Sequence, residues 1–364
     1  MTVNLKTEYS YEVNSEEWNN KLLQNKVSTI YQTDHWQKIY KQAYDSKPIF
    51  ITVTKPNGEI LGQLSGVIHK NLFWENTNTI ISSIGKKLNL RTTLNWFYGP
   101  IIHDYNFQNE IISEILSCID TISVENKVIM IRGISPSLDE ELMNESFKHF
   151  DYTLDPWATY ITNLNQTSEK LHESLNKKTR YDIRKSEQQE LKFEIAKNKK
   201  DYDEFTELKI ESRNKAGQKI KSNPLFFDIH RELLFKQGFE KLFIVRHDGK
   251  IIGGILGVIF NGNIIQHGVG NYTKTDLLGG SFLTWNSLKW AIKEGYSTFD
   301  MGGINPFPKS LKEKKIDFYK SKWGGKKFNY TVYTKILDKK KIMLSSFLKN
   351  PKNASKKLKH RFNL

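Results

Sequence analysis

A carboxylate, a glycine pair and a lysine follow one another in the stretch 295–327. Asp300 stands in the short predicted strand Thr298–Met301, Gly302-Gly303 follows, and Lys320 lies in a basic, aromatic segment after a proline-containing loop. Paired glycines after a strand let the backbone approach a ligand closely or adopt positive φ. A carboxylate and an ammonium group beside such a turn can orient a reacting group or exchange a proton with it. The alternative is a plain strand exit with Asp300 capping local N–H groups and Lys320 on the surface.

His267 is the third candidate for proton transfer, in the middle of the predicted strand Asn263–Val269. An imidazole can accept a proton near neutral pH, and the alternative is a histidine packed into the sheet for structural reasons. The sequence predicts no metal site, because Cys118 is the sole cysteine and lies in an apolar-periodic helix. No P-loop, GxSxG or dinucleotide-binding motif is present.

The elements around these residues predict an antiparallel meander, a helix and a further strand. Tight turns, including Asn261-Gly262, join the first three strands. Ser281 is the predicted N-cap of the helix, and Gly295 follows its end. The predicted elements of this half are strands Trp157–Ile161, Lys241–Arg246, Ile251–Phe260 and Asn263–Val269, and helices Ser168–Leu175 continuing through Asn176–Ser186, Asp201–Gly217, Phe226–Gln237 and Gly280–Glu294.

The first half predicts a similar α/β unit. Its elements are helices Glu16–Asn25, Thr33–Tyr44, Asn109–Val124 and Glu140–His149, and strands Ile49–Thr54, Glu59–His69 and Val128–Arg132. A chain of 364 residues exceeds the size at which one core stops growing. The sequence therefore predicts two domains, 1–150 and 151–336, followed by a basic tail, 337–364.

The net charge of +15 predicts either an anionic partner or simply a solvated basic surface. The helix Asn176–Ser186 carries a dense basic face, on which Arg180 and Arg184 suit phosphate geometry. The tail places Ile342, Met343, Leu344, Phe347 and Leu348 on one side. It predicts an amphipathic helix at a membrane surface or, alternatively, a disordered basic segment.

Two motifs of the second half resemble the FemABX family, the aminoacyltransferases that build peptidoglycan cross-bridges, and the related BioF2-like acyltransferases of GNAT fold. They are Phe299-Asp300-Met301-Gly302-Gly303 and Tyr319-Lys320-Ser321-Lys322-Trp323-Gly324-Gly325. The first half is similar in its segments 31–36, 98–104 and 131–136. The resemblance covers about residues 27–335.

The resemblance implies two tandem GNAT-like domains, each a mixed, mostly antiparallel twisted sheet flanked by helices. It implies amide formation by transfer of an aminoacyl or acyl group to an amine of a cell-envelope precursor or amino sugar, with Lys320 near the acceptor or leaving group. Backbone N–H groups where two strands diverge would stabilise the oxyanion. The substrate-binding residues expected on this basis are Arg180, Arg184, Arg213, Tyr98, Asp104, Gly302, Gly303, Tyr319 and Trp323, beside the catalytic candidates Lys320, His267 and Asp300.

The expected acyl donor is aminoacyl-tRNA or acyl-CoA, with no tightly bound cofactor. Asn271–Ser281 keeps a glycine pair at a helix start but lacks the Arg- or Gln-led phosphate loop of CoA-binding GNAT enzymes, which favours aminoacyl-tRNA. Two other functions remain open: a CoA-dependent N-acetyltransferase acting on a nucleotide sugar, and a non-catalytic protein that binds RNA or a membrane surface.

The expected partners are an anionic or lipid-linked precursor and tRNA. We expect a monomer. The N-terminal segment lacks an apolar signal-peptide core, and the longest apolar run, Ile251–Phe260, is too short to span a bilayer. The sequence therefore predicts a cytoplasmic protein, with the inner membrane face as a further location through the basic tail.

Overall fold

The computed structural model describes residues 4–70, 83–85, 87–136, 140–215, 224–271 and 276–349. The chain forms two compact units, Met1–Asp155 with Tyr330–Leu364, and Pro156–Asn329. The sequence places residues up to 336 in the second domain, but Val332–Ile336 pairs antiparallel with Met130–Ile134 of the first unit. Such a long-range pairing leaves no local pattern in the sequence. Ala216 and Gly217, the predicted end of one helix, lie outside the described residues.

Unit 1 is a mixed sheet flanked by helices. Its strands are β1 Lys6–Ser10, β2 Lys47–Thr54, β3 Ile60–Lys70, β4 Thr92–Trp96, β5 Ile101–Ile102, which pairs with β3, β6 Met130–Ile134 and the C-terminal strand β13 Lys326–Ile336. They lie in the order β1-β2-β3-β4-β6-β13, and among the described residues only β4 and β6 run parallel. The helices are Ser15–Leu23, Asp34–Tyr44, Gln108–Glu125, Glu140–His149 and Lys339–Lys349.

The helices of unit 1 form as their sequences predict. Thr33 is the N-cap of Asp34–Tyr44, and its hydroxyl oxygen accepts the N–H of Trp36. Helix Gln108–Glu125 buries an isoleucine-rich face against the sheet. Cys118 is half-buried beside this core, and burial raises the pKa of its thiol to about 11. Packing of this apolar stripe fixes the helix to the sheet.

The strands of unit 2 are β7 Thr153–Asn163, β8 Lys192–Ile195, β9 Glu240–His247, β10 Lys250–Phe260, β11 Asn263–Asn271 and β12 Thr298–Asp300. They lie in the order β7-β12-β11-β10-β9-β8, and in the part of the unit that the structure describes only β11 and β12 run parallel. The helices are Ser168–Ser174, Lys177–Glu187, Lys199–Lys215, Pro224–His230 running into the π-helical turn Arg231–Phe235, Gly279–Lys293 and Leu311–Ser321. The predicted fold class, mixed sheets that are mostly antiparallel and flanked by helices, is confirmed.

Three local predictions for unit 2 differ from the structure. Ser281 is not the N-cap, because helix Gly279–Lys293 begins after Leu278 without a side-chain cap. The predicted continuous helix through residue 186 is broken at Leu175, where extended backbone precedes Asn176, the N-cap of a second helix. Helix Leu311–Ser321, which carries Lys320, was not predicted. The turn at Asn261-Gly262 is confirmed, with φ of +49° and +75° as type I′ requires.

Among the described residues, no helix is both long and apolar enough to cross a membrane.

Candidate active site

The parallel strands β11 and β12 pair over only three residues each and then separate. The last pair joins Ile265 to Asp300, where β12 ends while β11 continues to Asn271. On its other side, β11 contains a bulge, because Gly257 pairs with Gln266 but Leu256 pairs with Gly268. Bulges are common next to active sites, where they redirect side chains. The divergence leaves backbone groups of β11 without strand partners in β12, and such groups can hold a ligand.

The glycine turn after β12 is held by Asp300. Gly302 has φ of +75°, a conformation that favours glycine, and its N–H donates to Oδ1 of Asp300 at 2.7 Å. The hydroxyl of Thr159 contacts the same carboxylate oxygen and lies 3.1 Å from the carbonyl oxygen of Gly302. Burial raises the pKa of Asp300. With one oxygen already bonded to the turn, this carboxyl group is placed to fix the backbone.

Lys320 reaches this turn from helix Leu311–Ser321. The helix begins with a capping box, in which the N–H of Glu313 donates to the Ser310 hydroxyl and the Ser310 N–H donates to the Glu313 carboxylate. In the last turn of this helix, Nζ of Lys320 donates to the carbonyl oxygens of Gly302 at 2.8 Å and Gly303 at 3.1 Å.

Burial lowers the pKa of Lys320 to about 8, and the charge of Asp300 opposes this shift. Lys320 is therefore mostly protonated at pH 7. Two of the three ammonium hydrogens have carbonyl acceptors among the described residues, which leaves one donor for a ligand. A partly desolvated ammonium group held by two carbonyls suits the stabilisation of negative charge, as on an oxyanion or a leaving group.

Tyr319 and Trp323 anchor the same helix to the protein interior. The Tyr319 hydroxyl donates to the carbonyl oxygen of Gly280 at 3.0 Å and lies 2.8 Å from the Thr284 hydroxyl oxygen. Burial raises the pKa of Tyr319 to about 12. Trp323 is completely buried in the apolar core of unit 2. Tyr319 therefore connects the helix to Gly279–Lys293, and Trp323 fixes the segment that follows the helix in the core.

Lys322 is a residue that sequence reasoning did not single out. Its Nζ lies 3.4 Å from the hydroxyl oxygen of Ser281, in the first turn of helix Gly279–Lys293, and 3.7 Å from the carboxylate of Asp182. Burial lowers the pKa of Lys322, while Asp182 opposes the shift. Its place in the Tyr-Lys-Ser-Lys-Trp motif was a signal that could have drawn attention to it.

His267 belongs to a different cluster from Lys320. Its ring stacks on that of His230, with centroids 5.5 Å apart and an interplanar angle of 20°. His230 contacts the buried carboxylate of Glu240, and Lys209 lies beside Gly268. Burial, together with the charges of His230, Lys209 and Arg213, holds the pKa of His267 well below its usual range. His267 is therefore a neutral imidazole at pH 7, and the same burial and neighbouring cations disfavour its protonated form.

Arg180 and Arg184 line an open groove of about 440 Å³ on helix Lys177–Glu187. Arg180 donates to the carbonyl oxygen of Glu173 at 2.9 Å, and the guanidinium group of Arg184 lies 5.9 Å from the ring centre of Tyr181. The structure groups these two arginines with each other and with Tyr181, away from the contacts of Lys320. Arg213 stands on helix Lys199–Lys215, near His267.

Tyr98 and Asp104 lie in unit 1. Tyr98 has φ of +53° and stacks on Tyr31 with ring centres 5.3 Å apart. Asp104 accepts the N–H of Asn106 at 3.1 Å, and its carboxylate lies 3.6 Å from Nζ of Lys55. In the structure, Asp104 thus stabilises the turn that begins helix Gln108–Glu125. Across the described part of the chain, no group of three or more metal-binding side chains is present.

Residues 173–320 match a protein family described as an acetyltransferase (GNAT) domain. The match contains β8–β12, the glycine turn and Lys320. No curated protein matches the sequence.

Solved structures share the fold at low sequence identity. FemX has a TM-score of 0.70 and 14% identity over 89% of this chain and 96% of its own. A tandem GNAT protein from the clavulanic acid biosynthesis pathway has a TM-score of 0.53 and 8% identity, covering 91% of this chain and 99% of its own. L-PGS from Bacillus licheniformis has a TM-score of 0.51 and 13% identity, and the match covers 96% of this chain and 99% of its own. The predicted tandem GNAT-like fold is confirmed.

Proposed function

We propose that this chain forms an amide on an amine of a cell-envelope precursor or amino sugar. In this proposal the chain is a FemABX-like acyltransferase that carries a GNAT domain and has the fold of FemX. The observation that carries the proposal is Lys320, whose ammonium group is held by two carbonyls of the glycine turn where β11 and β12 diverge. The family that residues 173–320 match is an acetyltransferase (GNAT) domain. This match and the desolvated lysine favour an enzyme over a non-catalytic binding protein.

The reaction joins the acceptor nitrogen to the carbonyl carbon of an activated acyl donor. As the C–N bond forms, the carbonyl oxygen becomes negative, and the free N–H of Lys320 stabilises this oxyanion or the departing group. The C–O bond of an ester donor, or the C–S bond of a thioester, then breaks. The amine gives up a proton, and the leaving group takes one.

Asp300 acts in this scheme as a positioning residue. Its Oδ1 holds the N–H of Gly302, and Gly302 offers its carbonyl oxygen to Lys320. His267 is the proposed proton acceptor because it follows Gln266 on β11 and is neutral, and its lowered pKa makes it a weak base in this role. The carbonyl oxygen of Gln266 faces the Gly302 turn, so the strand that carries His267 borders the proposed reaction centre.

The helix Gly279–Lys293 is the proposed contact for the donor. Its first turn lacks a side-chain cap, and Lys322 stands beside Ser281 there. A helix N-terminus without a side-chain cap and a nearby cation favour a phosphate-containing donor. Arg180 and Arg184 add a second basic surface, on which we place the anionic part of a substrate.

Aminoacyl-tRNA is the donor that we propose, because the sequence before Ser281 lacks the Arg- or Gln-led phosphate loop and the chain carries a charge of +15. The match to an acetyltransferase domain favours a second candidate, an acyl-CoA donor with a nucleotide sugar as acceptor. The cytoplasmic location and the monomeric state stay predictions.

A thermal-shift series distinguishes these donors. A ligand that binds only the folded protein raises the melting temperature by mass action. We expect a rise with aminoacyl-tRNA and with UDP-linked precursors, and none with CoA or acetyl-CoA. A rise with CoA alone would replace the proposed donor. No rise with any of them would contradict the enzymatic proposal.

A further inference from the structure

The helix Lys339–Lys349 of unit 1 is docked along one side. Ile342 and Ser345 line a cavity of about 210 Å³ together with Leu90 and Arg91, and Nε of Arg91 donates to the Ser345 hydroxyl at 2.9 Å. Ser345 is buried. These contacts fix the inner side of the helix to the body of unit 1, so the opposite side of the helix faces away from that body.

The outer side of this helix exposes large apolar side chains. Met343 is 46% exposed, Leu344 40% and Phe347 55%. Residues four apart lie on the same face of a helix, so Met343 and Phe347 form one stripe with Leu344 beside them. The sequence pattern assigned these residues to the same side as Ile342, whereas the structure turns Ile342 inward and leaves the other three outward.

Basic residues border the apolar stripe. Lys339 and Lys340 are exposed in the first turn of the helix. Nζ of Lys341 lies 3.8 Å from Oδ2 of Asp338. Lys87 and Leu88, which precede the segment that packs on the helix, are exposed as well. An apolar stripe beside lysines is the arrangement that binds at the interface of an anionic bilayer, where acyl chains meet negative headgroups.

We propose that the outer face of helix Lys339–Lys349 docks on the surface of an anionic lipid bilayer. Met343, Leu344 and Phe347 enter the boundary between headgroups and acyl chains, and Lys339 and Lys340 lie against the negative headgroups. The inference concerns a face of unit 1 and does not depend on the proposed reaction. Such docking would bring the protein to lipid-linked acceptors.

Vesicle co-sedimentation of the full chain tests this docking. The probes are vesicles of phosphatidylcholine alone and of phosphatidylcholine with phosphatidylglycerol. We expect the wild-type protein to bind the anionic vesicles at least tenfold more tightly than the neutral ones. Because each lysine near an anionic surface contributes on the order of 1 kcal/mol, Lys339→Gln and Lys340→Gln should each weaken binding roughly fivefold.

The apolar stripe is tested by Met343→Glu and Phe347→Glu, each expected to weaken binding at least tenfold. The control is Leu23→Glu, which makes the same change in charge at a site with the same 46% exposure as Met343. Leu23 lies near the opposite end of strand β3 from the docked helix. Asn25, two residues after Leu23, contacts β5, which pairs with the start of β3. Arg91, which contacts the docked helix, precedes Thr92, and Thr92 pairs with Lys70 at the end of β3. We expect Leu23→Glu to bind like the wild type.

Circular dichroism and thermal melts confirm that each variant is folded. Equal binding by wild type and Phe347→Glu would overturn the proposal, as would the absence of binding to anionic vesicles. Light scattering provides a further check. If the wild type self-associates and Met343→Glu makes it monomeric without changing its vesicle binding, the face contacts a second copy of the chain instead.

Discussion

The ammonium nitrogen of Lys320 lies 2.8 Å from the carbonyl oxygen of Gly302, a residue held at positive φ. Asp300 secures the other side of the same residue through its N–H. The cation and the carboxyl group therefore act on one peptide turn rather than on each other through a direct ion pair. This turn stands where β11 and β12 separate. On this geometry we propose that Lys320 stabilises charge and that Asp300 positions the turn.

Replacing Lys320 by alanine should lower kcat by roughly a hundredfold or more, because a donor aimed at the developing charge is lost. Lys315→Ala, an exposed change on the same helix, is the matched control and should keep full activity. Initial rates at saturating donor and acceptor measure the effect. Equal rates for Lys320→Ala and Lys315→Ala would remove Lys320 from the mechanism.

The pH dependence of stability provides a test that needs no substrate. Lys320 has a pKa of about 8 in the folded protein, below its usual value of 10.5. Between these pH values the unfolded state binds more protons, so this residue makes the folded state more stable as pH rises through that window. Below about pH 8 Lys320 is protonated in both the folded and the unfolded state, so its unfavourable contribution to the stability of the folded protein no longer changes with pH.

Comparison with Lys320→Met isolates this contribution. Lys209, whose pKa is also lowered to about 8, is present in both proteins, and its effect cancels. Urea unfolding at pH 7 and pH 10 should show the wild type gaining stability relative to Lys320→Met at the higher pH. A difference in unfolding free energy that is the same at both pH values would mean that Lys320 has an ordinary pKa.

Asp300→Asn should retain activity within about tenfold, because the amide oxygen can still accept the N–H of Gly302. Asp300→Ala leaves that N–H without its acceptor and should destabilise the protein by about 1–3 kcal/mol. Chemical denaturation and initial rates on the folded variants measure the two effects. Complete inactivity of a stable Asp300→Asn variant would identify Asp300 as the proton acceptor instead.

Gly302→Ala should be more harmful than Gly295→Ala, although both residues have similar positive φ values, +75° and +79°. Each change introduces about 1–2 kcal/mol of backbone strain. At Gly302 a Cβ atom would also lie 2.9 Å from the carbonyl oxygen of Gln266, whereas at Gly295 nothing lies within 4 Å. We expect Gly302→Ala to lose at least about 1 kcal/mol more stability and most of its activity. Equal unfolding free energies would argue against the close approach.

The sequence predicted those parts of the site that local patterns encode. Asp300 and Gly302 stand in one motif and Lys320 in the next, and the structure brings the three residues together around one turn. Helix Leu311–Ser321 was missed although Ser310 and Glu313 form a capping box that the sequence displays. The sequence was interpreted there only as a proline-containing loop followed by a basic, aromatic segment.

Other parts of the site depend on contacts between distant segments. Thr159 meets Asp300 across 141 positions of the chain, and no local pattern marks it. The position of His267 on β11 depends on a β-bulge in that strand and on the ring of His230, which stands on a helix. The C-terminal strand joins unit 1 through pairing with β6, which follows from packing rather than from its own sequence.

The most direct test is a mass-spectrometric assay for a new amide. Wild type and Lys320→Ala are incubated with aminoacyl-tRNA or acetyl-CoA, together with amine-bearing UDP-linked precursors and amino sugars. We expect the wild type to form an amide product with one of the donors, and we expect the rate to fall by roughly a hundredfold in folded Lys320→Ala. No amide with any donor and acceptor pair, or equal rates for the two proteins, would contradict the proposal.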